Sequence, residues 1–163
     1  MNISRLTSLR LHEEHQANLD LLARIEQALV RMPHGGSGGP ELTKLVGTLG
    51  QHLAHEVRRH FEFEERELFP RMNGGDDGDL AALLLEEHEA IRAVSAEVLP
   101  LTRAATAGTL DAAGWGTLKR STLELVERLT AHIQKEELAL LPAVDDLLDE
   151  ATDRDLVLAY TAL

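Results

Sequence analysis

Two stretches of this chain carry nearly the same pattern. His60-Phe61-Glu62-Phe63-Glu64-Glu65, running on to Leu68-Phe69-Pro70, recurs as His132-Ile133-Gln134-Lys135-Glu136-Glu137 with Leu140-Leu141-Pro142, at an offset of 72 residues throughout. In each copy a glutamate follows a histidine by four residues, so on a helix the imidazole and the carboxylate point the same way. That spacing suits a metal. A second echo, Glu13-Glu14-His15 against Glu86-Glu87-His88, has an offset of 73. The chain therefore reads as one domain over residues 1–163, a duplicated helical hairpin (about 4–72 and 79–148) in which each half supplies one lone histidine and one HxxxE pair.

The periodicity around these motifs is helical. From Ser4 to Met32, Leu11, Leu19, Leu22 and Leu29 share a face with His15. Pro33 to Gly39 has the composition of a flexible connector, and Pro40 suits the first position of a second helix reaching Met72, with Val46, Leu49, Leu53, Val57, His60, Glu64 and Leu68 on one face. After the turn cluster Asn73 to Gly78, with Asp79 or an earlier Asp as cap, a third helix to Ala107 aligns Ala81, Leu84, His88, Ile91 and Val98. Pro100 should kink it or end its regular part. A fourth, capped by Asp111 and reaching Leu148, aligns Leu118, Leu125, Leu129, His132, Glu136 and Leu140, with a bend expected at Pro142. Thr152 to Tyr160 reads as a short fifth helix covering one end. Short connections leave consecutive helices as neighbours, which predicts an all-α, up-down-up-down antiparallel four-helix bundle.

Composition agrees: 44% of the 163 residues are apolar, yet only 3% are aromatic, and Leu and Ala dominate. A formal charge of -12 argues against nucleic acid and anionic membrane surfaces as partners. The absence of cysteine excludes disulfides, thiolate zinc sites and cysteine-held iron–sulfur clusters. Without a secretory leader or a run of apolar residues long enough to span a bilayer, a cytoplasmic protein is the expectation.

A single inward-facing histidine is more often a hydrogen-bonded core residue than a ligand. Here the antiparallel register allows His15, His60, Glu64, His88, His132 and Glu136 to meet at one level. Two ionised carboxylates facing each other in an apolar bundle are costly, and a cation removes the cost. If two ions are held, each receives two nitrogens and one oxygen, the set expected of non-haem iron with positions left open.

Those motifs, Glu14-His15, His60-x-x-x-Glu64-Glu65, Glu87-His88 and His132-x-x-x-Glu136-Glu137, each HxxxE copy ending in proline, resemble the hemerythrin-like, or HHE cation-binding, domain in order and over nearly the whole chain. The resemblance implies a non-haem di-iron centre bridged by the two HxxxE glutamates and an oxo or hydroxo group, meeting dioxygen, peroxide or nitric oxide. Zinc or manganese suits the same ligands. Respiratory members of that family have a further histidine where this chain has Leu84, and an aspartate where it has its last glutamate. The departure points away from reversible oxygen carriage and toward peroxide turnover or sensing. The alternatives are an oxygen or iron storage module without turnover and an iron-dependent regulatory bundle.

Other residues receive lesser roles. Glu65, Glu67, Glu137 and the Asp145-Asp146 pair read as solvated surface charges, with Glu65, Glu137 or His12 the nearest groups able to supply a proton from outside the ligand set. His12, one turn before His15, is a candidate additional ligand or support. His52 and His55 read as surface or access-channel residues, and His34 is assigned nothing. Phe61, Phe63 and Phe69 exclude water or simply pack, and Trp115 and Tyr160 pack or cap the ends.

Overall fold

The computed structural model describes residues 3–33, 35–72 and 74–161; His34, and Asn73 of the turn cluster, lie outside the described residues. Helix α1 (Leu6–Arg31) buries Thr7, Leu11, His15, Asn18, Leu22, Ile25 and Leu29, a stripe spaced by threes and fours. Its N-terminus has no side-chain cap of its own. Remote carboxylates serve instead: Asp153 accepts from the Leu6 and Thr7 N–H groups (2.8 and 2.9 Å) and Asp145 from those of Ser4 and Arg5 (2.9 and 2.7 Å). These bonds satisfy otherwise orphaned donors and place negative charge at the positive end of the helix dipole. Asp145 is thus a capping residue, not the free surface charge expected of it.

The second rod comprises α2 (Pro40–His52), a π-helical stretch (Leu53–Val57), α3 (Arg58–Phe63), a second π-helical stretch (Glu64–Leu68) and a 3-10 turn (Phe69–Arg71). Pro40 opens it, as expected. The rod lies close against the third: a Cβ at Gly50 would stand 2.5 Å from the Thr102 hydroxyl oxygen. The third rod, α4 (Gly75–Thr106), starts earlier than the predicted Asp79, with Asp76 and Asp77 in its first turn. It also runs through Pro100 without ending there. That residue is exposed, so water can take the carbonyl the proline leaves unpaired. Gly108, at φ +70°, closes α4, its N–H bonding the Ala105 carbonyl while that of Thr109 bonds Ala104.

The fourth rod is α5 (Ala112–Lys135), a π-helical stretch (Glu136–Leu140) and α6 (Leu141–Leu147), with Asp111 accepting from the Gly114 N–H at 2.7 Å as the predicted cap. Helix α7 (Glu150–Thr161) follows. Helix α4 packs on α2 and α5, and α1 packs on α2, α5, α6 and α7. The four rods thus form the expected up-down-up-down bundle in the cyclic order of the chain, with α7 laid along the first. The core falls into two apolar clusters. One joins Ile25, Leu29, Val46, Leu49, Val98, Trp115, Leu118 and Leu125; the other joins Leu11, Phe63, Leu68, Leu84, Leu140 and Leu141 to Leu156 and Tyr160 of α7. A polar layer separates them.

Candidate metal centre

That layer is made of the six residues singled out from the sequence. His15, His60, Glu64, His88, His132 and Glu136 are all at most 3% exposed. The histidines pair by Nε2: His15 faces His60 at 3.2 Å and His88 faces His132 at 3.1 Å. The glutamates join the pairs. Glu64 presents Oε1 to His60 (3.2 Å) and Oε2 to His88 (3.3 Å), while Glu136 presents Oε2 to His15 (3.0 Å) and Oε1 to His132 (2.8 Å). Each carboxylate therefore gives one oxygen to each histidine pair. Two clusters of possible ligand atoms result, His15/His60/Glu64/Glu136 and Glu64/His88/His132/Glu136, each with its atoms within 4.8 Å of one another.

Local structure aims these oxygens. Both π-helical stretches in the motifs begin at the glutamate itself, Glu64 or Glu136, and both are followed by proline, at Pro70 and Pro142. A proline ring displaces the carbonyl four residues before it, and a widened turn absorbs that displacement. The bend predicted at Pro142 is thus taken up by the π turn ahead of it, after which α6 continues.

The Nδ1 atoms face outward, and each meets a carboxylate from the preceding rod. Glu14 of the first rod meets His60 (3.2 Å), Glu65 of the second meets His88 (2.7 Å), Glu87 of the third meets His132 (2.9 Å), and Glu137 of the fourth meets His15 (2.7 Å), closing a ring around the bundle. A neutral imidazole that donates Nδ1–H outward presents its Nε2 lone pair inward, as a metal ligand must. Glu65 and Glu137 are therefore not the solvated surface charges expected from sequence. The signal that could have identified them is the repeat, since each directly follows a motif glutamate, just as Glu14 and Glu87 directly precede the lone histidines.

Several observations show that the donor set fits cations. The four oxygens of Glu64 and Glu136 are buried and, among the described residues, receive no hydrogen bond, although imidazole nitrogens stand within reach. Atoms so close and so poorly aligned converge on a shared point. Nitrogens 3.1–3.2 Å apart match neighbouring ligands on a first-row ion, where bonds of ~2.1 Å at right angles give about 3.0 Å. Two carboxylates at up to 4.8 Å repel by roughly 3 kcal/mol at an effective dielectric near 20, so the layer needs positive charge.

The titration behaviour says the same. Burial by itself would lower the His60 pKa, but the charge of Glu64 beside Nε2 and the hydrogen bond to Glu14 lift it well above 6.5. Against the same burial, the adjoining carboxylates of Glu136, Glu64 and Glu65 push His88 up to about 9, and Glu136 raises His132. Burial would raise Glu136, yet the imidazoles of His132, His15 and His88 beside it hold it well below the carboxylate range; Glu64 is lowered likewise, chiefly by His60, against burial and the charge of Glu136.

The remaining candidates sit around this layer. His12 reaches Glu137 (2.8 Å) and does not join the six. His52 turns inward, its Nε2 meeting Asn18 Oδ1, and burial lowers its pKa; His55 is exposed. Phe61 stacks on His88 (centroids 3.7 Å apart), Phe69 lies 5.5 Å from the same ring, and Phe63 packs on Tyr160. Tyr160 also donates from its hydroxyl to Glu14, a contact unforeseen from the sequence.

Comparison with known proteins gives a consistent result. The hemerythrin HHE cation binding domain matches residues 8–144. An iron-sulfur cluster repair protein YtfE from Dickeya chrysanthemi (strain Ech1591) is 28% identical over 145 residues, covering 82% of this chain and 60% of that protein. The chain thus spans about 60% of the length of that curated relative. No solved structure gives a significant match.

Proposed function

Because the chain belongs to the hemerythrin HHE cation-binding family, we propose that His15, His60, Glu64, His88, His132 and Glu136 hold two iron ions sharing both glutamates and an oxo or hydroxo group, and that this centre binds, senses or reacts with dioxygen, peroxide or nitric oxide. One observation carries the reading: each of two buried glutamates offers one oxygen to each of two histidine pairs. Bound iron supplies a Lewis-acidic redox centre with positions left for a small ligand.

The protein's own contribution is legible. Outer carboxylates fix the tautomer of all four imidazoles. Leu84, Leu11, Phe63, Leu68 and Leu140 form an apolar flank on the α7 side that supplies no further nitrogen. With Leu84 where a fifth histidine would stand, reaction with peroxide is favoured over carriage. Iron-loaded protein given hydrogen peroxide should release dioxygen over many turnovers, followed with an oxygen electrode. A coloured adduct formed in air and lost under vacuum, with no oxygen release, would establish the storage or carrier alternative instead.

A further inference from the structure

The four outward bonds that hold the histidines are unequal. His15 and His88 lie 2.7 Å from their carboxylates and His132 lies 2.9 Å from its own, but His60 stands 3.2 Å from Glu14. Glu14 is also the most heavily subscribed acceptor. Its Oε2, the oxygen facing His60, accepts from the Tyr160 hydroxyl, and its Oε1 meets Arg59 and Arg10, each at 3.2 Å. Glu65 and Glu87 each hold one cation besides a histidine, Arg92 and Lys135, and Glu137 holds His12. Sharing one oxygen does not by itself lengthen a bond, since Glu65 Oε1 takes both His88 and Arg92 at 2.7 Å. Glu14 differs in the number of donors and in receiving a phenol.

That phenol comes from α7, outside residues 8–144. Its ring is 4% exposed, 4.6 Å from Phe63 and 4.9 Å beneath the Arg59 guanidinium. A buried tyrosine needs a partner for its hydroxyl. Here the partner is the group that polarises a histidine of the centre. We propose that Tyr160 is a positioning residue whose hydrogen bond to Glu14 weakens that carboxylate's hold on His60, making His15/His60 the less strongly donating half of the centre. The proposal rests on the six residues being metal ligands. A carboxylate accepting the outer N–H of a ligand imidazole raises the basicity of the inner nitrogen, and every competing donor on that carboxylate reduces the effect. Because Arg59 and Arg10 still hold Glu14 when the phenol is removed, the carboxylate stays in place and turns more fully to His60.

The test uses the full chain loaded with zinc, which is diamagnetic, and reads the four imidazole N–H resonances by nitrogen-15 NMR. Tyr160→Phe keeps the ring packing and should move the His60 Nδ1–H downfield and slow its exchange, leaving His88 and His132 unmoved. Glu14→Gln, the reference, should move it upfield and weaken zinc binding about 10–100-fold. The chain has one tyrosine, so fluorotyrosine labelling alters this phenol alone without altering the fold. The more acidic hydroxyl donates more strongly and should shift His60 upfield, opposite to Tyr160→Phe. A His60 resonance indifferent to both changes, or four resonances moving alike, would overturn the proposal while leaving the metal reading intact. Fewer than two zinc ions per unaltered chain would overturn both.

Discussion

The His15/His60 half and the His88/His132 half present the same inner chemistry through different surroundings. Inside, each offers two Nε2 atoms and one oxygen from each shared glutamate. Outside, the first half is backed by Glu137 with His12 and by Glu14 with Tyr160, Arg59 and Arg10; the second is backed by Glu65 with Arg92 and Glu87 with Lys135. The six inner residues and the carboxylates behind them recur at offsets of 72 and 73, but the next layer does not. At those offsets Arg59 corresponds to Ala131, Lys135 to Phe63, Arg92 to Leu19 and His12 to Leu85. The repeat sets what the centre is made of. Unrepeated residues set how its halves differ.

The largest effects should come from the residues both halves share. Glu136→Ala takes an oxygen from each histidine pair, and iron retained after desalting should fall from two per chain to none. Retention of one ion would mean that Glu136 serves a single half. Next, His60→Ala and His132→Ala should each leave one ion per chain by metal analysis, because the inner ligands of the halves are equivalent.

A pH effect of the order of 3 kcal/mol is expected in chelated protein, where His88 is raised from 6.5 to about 9. A raised folded-state pKa contributes stability that is fully present below 6.5 and lost as pH rises through about 9. The melting temperature of metal-free protein should therefore fall across that window, and His88→Ala should flatten the fall. Metal-loaded protein should not show it, since the imidazoles then hold metal in place of protons and release them on loading. Smaller still, Glu87→Gln should weaken one ion about 10–100-fold and spare the other, detected as a second, weaker phase in a chelator competition. Equal weakening of both ions would mean that the halves are not independently backed.

The fold and the convergence of the inner six were legible because residues that meet in the middle of a bundle must follow helical spacing, and an i, i+4 pair inside a leucine stripe points to the core. The π turns were not, since local propensity does not distinguish a widened turn from a regular one. From sequence Glu65 and Glu137 read as solvent-facing, because a charge beside a core position is ordinarily exposed, and their role depends on which histidine the adjoining rod presents. Tyr160 is 146 residues from Glu14 and arrives on a helix whose docking, through Asp153 and Tyr160, no periodicity encodes. Several aspartates could open the third rod, which begins at Gly75 with no side-chain cap, whereas Asp111 alone caps the fourth.

The most direct test is an anaerobic titration with ferrous iron, followed by desalting and metal analysis. A joint centre predicts two ions per chain, falling to one in His60→Ala or His132→Ala. One ion or fewer in the unaltered protein, or two that survive substitution of His60 and Glu136, would contradict it.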